Sequence, residues 1–206
     1  MPDIALRKKE GFIMRITTRM VTLVNGIRAA LFDSDGVMFP NTVLMGAPYK
    51  AKYRSYYDGQ GISLLRAVGI RVAFITNEKG DSAAAIRETV AKFNALPSSA
   101  PQTEGGWAPV ALYEGYGGPK KVEAAQHFLA QSGCTPEQSS YMGDDLVDVP
   151  LLRAVALPAA PAQAEEVVKQ LCLFVSEREG GTGAIRDFAN MILSMRNIDP
   201  TTLPTQ

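Results

Sequence analysis

The amino-acid sequence predicts an α/β fold, a doubly wound and mainly parallel sheet covered by helices on both faces. Three observations carry that expectation. Short apolar runs recur without polar alternation, as strands buried on both faces require. Between the runs lie segments whose apolar residues recur at helical spacing. Acidic residues gather just after two of the runs, where an open parallel sheet binds its ligands.

The runs are Ile27 to Phe32, Val72 to Ile75, Val110 to Tyr113, Ser140 to Met142, Ala154 to Leu157 and Leu171 to Val175. After the first run, Asp58 is placed to cap a helix carrying Ile62, Leu65 and Val68, with Gly69 ending it. Asp81 is placed to cap a second helix through Ala85, Ile86, Val90 and Phe93. A third follows Gly118-Pro119, presents Val122, Ala125, Phe128 and Leu129, and closes at Gly133. Thr135-Pro136-Glu137-Gln138 reads as a capping box opening a brief helical turn. Ile185, Phe188, Ala189, Ile192 and Leu193 complete a last amphipathic helix.

Two segments break the rhythm. Residues 41–57 have β-formers on both sides of Gly46-Ala47-Pro48 and predict a projecting hairpin. Residues 94–118 are rich in Pro, Gly and Ser around Trp107 and predict a long surface loop, with Trp107 as its anchor. Residues 1–26 read as a basic leader, 27–197 as the domain and 198–206 as a flexible tail.

The 206 residues suffice for one well-filled core, and 46% hydrophobic with 20% charged residues is ordinary globular composition. Lys plus Arg equals Asp plus Glu at 21 each, so no global field draws the chain to nucleic acid or an anionic membrane. Neither partner is expected. No apolar stretch is long enough to span a bilayer, and the basic start lacks a signal peptide's apolar core. Cys134 and Cys172 lack metal-ligand spacing and read as buried thiols in a reducing compartment. Cytoplasmic localisation follows from these readings.

The residues after each run carry the chemistry. The first is followed by Asp33 and Asp35, the second by Thr76-Asn77, and the one at Ser140 by Gly143-Asp144-Asp145 with Asp148 beyond. Two like charges so close in sequence repel unless a cation or a proton intervenes. Carboxylates from separate strand ends suit Mg²⁺, which takes one or two of them together with phosphate oxygens and water. Asp33 is then a candidate nucleophile toward phosphorus and Asp35 a candidate general acid and base. Thr76 and Asn77 are candidates for binding phosphate oxygens, and a lysine would neutralise the transferring group. An EF-hand reading fails, because the glycine stands at the fourth position of Asp33 to Gly36 rather than the sixth.

With these residues placed, the sequence resembles the haloacid dehalogenase superfamily of phosphatases, whose sheet is Rossmann-like. The four motifs occur in order: Asp33 to Val37, Thr76 at the end of "VAFIT", Lys120 or Lys121, and "GDDLVD" from Gly143 to Asp148. The resemblance implies Asp33 and Asp144 as carboxylate ligands of Mg²⁺, the Asp35 backbone carbonyl as a third, and Asp145 and Asp148 behind them. Spacing to the fourth motif favours Lys121 as the catalytic lysine that also binds phosphate. "YYDGQGISLLRAVGIRVAFIT", "PEQSSYMGDDLVDVPLL" and "GGTGAIRDF" are similar to the branch acting on octulosonate 8-phosphates and sialic-acid-like 9-phosphates.

The stretches from Asp33 to Thr76 and from Thr76 to Lys121 are too short for a large cap domain. Capless relatives are tetramers in which a neighbour's hairpin covers the site, so the resemblance implies a homotetramer. In this chain Asn77-Glu78-Lys79 stands where the octulosonate branch carries Gly-Arg after the threonine, which leans toward a nonulosonate or another sugar acid. The alternatives to a sugar-phosphate phosphatase are a catalytically retired domain organising sugar-nucleotide synthesis and a capless phosphatase for larger phosphoesters. Lys50, Lys52 and Arg54 on the hairpin read as edge protection or as a reach toward a neighbour's substrate.

Overall fold

The computed structural model describes residues 18–45, 50–99 and 105–204. Most of the predicted leader, the tip of the predicted hairpin and the middle of the predicted loop lie outside the described residues. Six parallel strands form the sheet: β1 Ala29–Phe32, β2 Arg71–Thr76, β3 Ala111–Glu114, β4 Ser139–Met142, β5 Leu157–Ala160 and β6 Phe174–Val175. Their order is β3-β2-β1-β4-β5-β6, all neighbours parallel. Strand order therefore reverses beside β1, and in open sheets of this kind the ligand crevice lies beyond the carboxyl ends of the strands at that reversal, here β1 and β4.

Seven helices flank the sheet among the described residues: α1 Thr18–Gly26, α2 Tyr56–Ala67, α3 Ala84–Asn94, α4 Lys120–Ser132, α5 Val149–Leu152, α6 Glu166–Lys169 and α7 Ala184–Met195. Alternate strand residues feed two cores. Phe32, Phe74, Val72 and Met142 join Ile62, Leu65, Ile86, Val90, Ile185, Phe188 and Ile192 on one face. Leu31, Ala73, Ile75 and Tyr141 join Ala124, Ala125, Phe128, Leu129, Leu151 and Val168 on the other. The apolar spacing that predicted α2, α3, α4 and α7 is thus the spacing that covers the sheet.

Several details differ from the sequence reading. β5 begins at Leu157 instead of Ala154, and β6 keeps only Phe174–Val175 of the longer predicted run. The fifth strand pairs Leu157, Pro158 and Ala159 with Ser140, Tyr141 and Met142, and this pairing outweighs the poor strand propensity of Pro158. Ser55, not Asp58, caps α2, its side chain accepting from the Tyr57 amide. Asp58 serves another helix. Its carboxylate accepts from the amides of Gly183, Ile185 and Arg186 at 2.9, 2.8 and 3.4 Å, at the start of α7. Asp81 lies inside a 3₁₀ turn, Gly80–Ala83, that leads into α3.

The capping box at Thr135 is present, with the Thr135 amide donating to Gln138 Oε1 at 3.1 Å. Helix α1 packs against α7, and Arg196 donates to the carbonyls of Val24 and Ile27 at its end. Trp107 anchors its loop: its ring lies under the Arg66 guanidinium, 5.4 Å away, while Arg66 donates to the carbonyls of Ala108 and Phe93 and to Ser99. The two cysteines are free thiols and half-buried instead of buried. Of the predicted hairpin, the described residues show one antiparallel bridge, Leu44 opposite Ala51. Among the described residues no helix is long and apolar enough to cross a membrane.

Candidate active site

Strand β1 ends at Phe32, so the chain turns while still beside β4. The Asp33 amide donates to the Met142 carbonyl at 3.0 Å, and this bond aims the Asp33 side chain into the crevice. Strand β4 delivers Asp144 to the same place. Oxygens of Asp33, Asp144 and Asp148 lie within 4.8 Å of one another, the one such acidic cluster among the described residues. Exposures of 7% for Asp33, 4% for Asp144, 1% for Lys121 and 0% for Asp148 put the group out of bulk water.

Lys121 reaches the cluster from the first turn of α4. Its ammonium stands 3.0 Å from Asp33 Oδ2 and 2.6 Å from Asp148 Oδ1, and it donates to the Tyr141 hydroxyl at 3.1 Å. Asp148 is fully engaged. Its Oδ1 also accepts from the Tyr141 hydroxyl at 2.6 Å, and its Oδ2 from the amides of Asp144 and Asp145 at 2.9 and 3.2 Å. Asp33 accepts from the Ser34 amide at 2.7 Å besides pairing with Lys121, and both it and Asp144 stand close enough to share a cation.

Burial, abetted by the Asp148 charge, lifts the Asp33 carboxyl to about 7 even though Lys121 pulls it down. Burial and the charges of Asp33 and Asp148 lift Asp144 to about 8. For Lys121 burial acts downward, but the two carboxylates beside it prevail and raise it, so it is a cation. Two crowded carboxyls that resist ionisation fit a divalent cation, whose charge removes their mutual repulsion. The backbone agrees with that fit. Gly36 has φ 77, and a Cβ there would fall 2.0 Å from Asp144 Oδ2, so the loop comes as close to Asp144 as only glycine permits.

The other predicted residues stand at the edge of the cluster. Asp35 keeps its carboxylate apart from the acidic group, accepting from Ser34 Oγ at 3.1 Å and pairing with Lys52 at 2.6 Å. Thr76 is buried, its Oγ1 accepts from the Glu78 amide at 3.1 Å, and it lies 3.0 Å from Ser34 Oγ. Asn77 is exposed at the mouth, against Gly117.

Sequence reasoning missed Tyr141, Ser34, Gln163 and the inward turn of Lys52. Tyr141 sat in an apolar run, and its buried hydroxyl was the available signal, since such a group needs a partner. Gln163 offered none. It ties two glycine-rich loops together, donating to the Gly36 carbonyl at 2.7 Å and accepting from the Gly180 amide at 2.8 Å. A Cβ on Gly180 would lie 1.8 Å from the Gly36 oxygen, so these loops are in direct contact.

No protein-family model matches the chain. Individual proteins do. The 3-deoxy-D-manno-octulosonate 8-phosphate phosphatase of Yersinia pestis is 32% identical over 168 residues, which cover 81% of this chain and 80% of that one. The chain belongs to the 3-deoxy-D-manno-octulosonate 8-phosphate phosphatase family.

That family's solved structures carry the same fold. The crystal structure from Yersinia pestis superposes with a TM-score of 0.77 at 26% identity, covering 93% of both chains. A cobalt-bound phosphatase of the family from Haemophilus influenzae gives 0.72 at 27% identity, covering 85% of this chain and 92% of that one. The resemblance read from the four motifs, and the doubly wound fold expected from it, both hold.

Proposed function

We propose that this chain is a magnesium-dependent phosphomonoesterase acting on a phosphorylated acidic sugar of the octulosonate 8-phosphate or nonulosonate 9-phosphate type. The observation that carries the reading is the buried group of Asp33, Lys121, Asp144 and Asp148 at the carboxyl ends of β1 and β4. The substrate for which the family is named, and the cation bound in the Haemophilus influenzae relative, support it.

In this reading an Asp33 oxygen attacks phosphorus, the bond to the sugar oxygen breaks, and Asp35 gives that oxygen its proton. Water then attacks the aspartyl phosphate while Asp35 takes a proton back, releasing phosphate and restoring Asp33. Lys121 holds positive charge beside Asp33, where charge gathers in the transition state. Thr76 and Asn77 bind phosphate oxygens. The carboxylates of Asp33 and Asp144 and the Asp35 carbonyl would hold Mg²⁺, which when bound would neutralise phosphate and carboxylate charge. Asp148 and Tyr141 act through Lys121 and through the Asp144 amide, fixing both.

The same reading includes a homotetramer in the cytoplasm. Leu44, Met45, Tyr53, Tyr56 and Tyr57 are exposed apolar side chains on and after the hairpin, with Tyr56 at 88%, a surface that fits burial against another copy. Sedimentation showing only monomers would remove that part. For the chemistry, purified protein with Mg²⁺ and a sugar-phosphate panel should release phosphate, and Asp33→Asn should lower turnover more than about a thousandfold. Full activity in Asp33→Asn would defeat the nucleophile assignment, and silence across the panel would favour a retired domain.

A further inference from the structure

The segment that leaves β5 braces both strand ends that carry the acidic group. Pro161 and Ala164 are buried, so the stretch from Pro161 to Glu165 is anchored in the core. From it the Glu165 amide donates to the Asp144 carbonyl at 2.9 Å, and the Gln163 side chain donates to the Gly36 carbonyl at 2.7 Å. Gln163 also accepts from the Gly180 amide at 2.8 Å. A backbone N–H has to meet the side-chain oxygen, which leaves the Gln163 nitrogen for the carbonyl of Gly36. Gly36 in turn rests on Asp144, where a Cβ would fall 2.0 Å from Oδ2, and the Gly181 amide holds the next carbonyl, that of Val37, at 2.8 Å.

We infer that Gln163 is a positioning residue for the cation, fixing the separation of the Asp35 carbonyl from the Asp144 carboxylate and with it the preference for Mg²⁺ over Ca²⁺. Gly36 follows Asp35 directly, so holding its carbonyl holds the turn that presents the carbonyl of Asp35. Glu165 holds Asp144 from the same anchored segment, so the two candidate ligands keep one spacing. Mg²⁺ demands near-octahedral oxygens at about 2.0–2.1 Å, whereas Ca²⁺ accepts about six to eight of them at about 2.3–2.6 Å in flexible arrangements. A seat that cannot widen serves the smaller ion, and a seat that can widen admits the larger. Gln163 acts through the Gly36 backbone, as a partner behind a ligand does. The inference rests on the cation reading of the acidic group for its ligand and on the measured distances for its geometry.

The test is calorimetric titration of chelator-treated protein with Mg²⁺ and, separately, with Ca²⁺ at pH 8, for the unaltered chain, Gln163→Met and Gln163→Asn. Methionine keeps the length and loses both hydrogen bonds, while asparagine keeps the amide and loses the reach. Each variant should bind Mg²⁺ about tenfold more weakly, the scale of a lost partner behind a metal ligand, with Ca²⁺ affinity changed less than about threefold. A general loosening of the structure would weaken both ions alike, so the ratio of the two affinities separates the causes. Should Gln163→Met fail to fold, Gln163→Asn decides. Equal weakening of both ions, Mg²⁺ affinity within about twofold of the starting value, or no Mg²⁺ binding by the unaltered protein overturns the inference. Phosphate release by the unaltered protein is read separately. Mg²⁺ binding without release defeats the phosphatase reading, while the ion ratio still decides the role of Gln163.

Discussion

Asp148 shows how one side chain can organise a site without facing it. Its two oxygens accept from Lys121, Tyr141 and two backbone amides, and the side chain itself is fully buried. Removing a charge from such a group leaves a buried partner short, which costs more than the pair contributes to begin with. Asp148→Asn should therefore lower unfolding stability by about 3 kcal/mol, seen as a lower urea midpoint with unchanged slope. Asp33→Asn should behave oppositely. Asp33 sits among like charges, and losing its charge relieves Asp144, so the variant should melt no lower than the unaltered protein while its turnover disappears. Equal stability of both variants would mean that Asp148 does not carry the load assigned to it.

At the scale of elements, Asp58 joins α2 to the start of α7 through three backbone amides. Burial raises its carboxyl from 3.8 to about 6, against the pull of those amides and of Arg178. A carboxyl raised by folding favours the fold when protonated. That stabilisation is complete below about pH 4 and is lost as pH rises through about 6. Asp58→Asn lacks it. Between pH 4 and pH 7 the unaltered protein should lose about 2 kcal/mol relative to the variant in urea unfolding, and parallel profiles would refute the linkage. The sequence already marked Asp58 as a helix cap, since an acid before a periodic apolar run is a local signal. Which helix it caps is a tertiary fact, because Gly183 and Ile185 are distant in sequence. The same limit explains the other differences. The strands buried on both faces were legible from their apolar runs, and Gly133 and Thr135 from cap chemistry. The true span of β5 was not, since Pro158 and its alanines pair only because β4 and β6 flank them. Asp33, Asp144 and Lys121 could be read from motif order, whereas Lys52 on Asp35 and Gln163 on Gly36 depend on how loops meet.

For the whole molecule, stability and metal binding should be one equilibrium. Folding brings Asp33 and Asp144 together and raises them to about 7 and about 8, burial being the larger cause for each. Without a cation each fold-stabilising proton is lost as pH rises through those values, so the free protein weakens toward alkaline pH. A divalent cation binds the ionised pair and stabilises the folded state where the protons no longer do. With Mg²⁺ at a hundredfold excess over Kd the gain is about 2.7 kcal/mol, and a chain of this size should melt about 5–10 °C higher. That shift should appear at pH 8 and shrink to less than about 2 °C at pH 5.5, where both carboxyls are protonated. Asp144→Asn should lose it at pH 8. Melting curves with Mg²⁺ and with chelator at the two pH values decide the matter. A shift of the same size at both would place the cation elsewhere, and none at pH 8 would end the claim that the two strand ends form its seat.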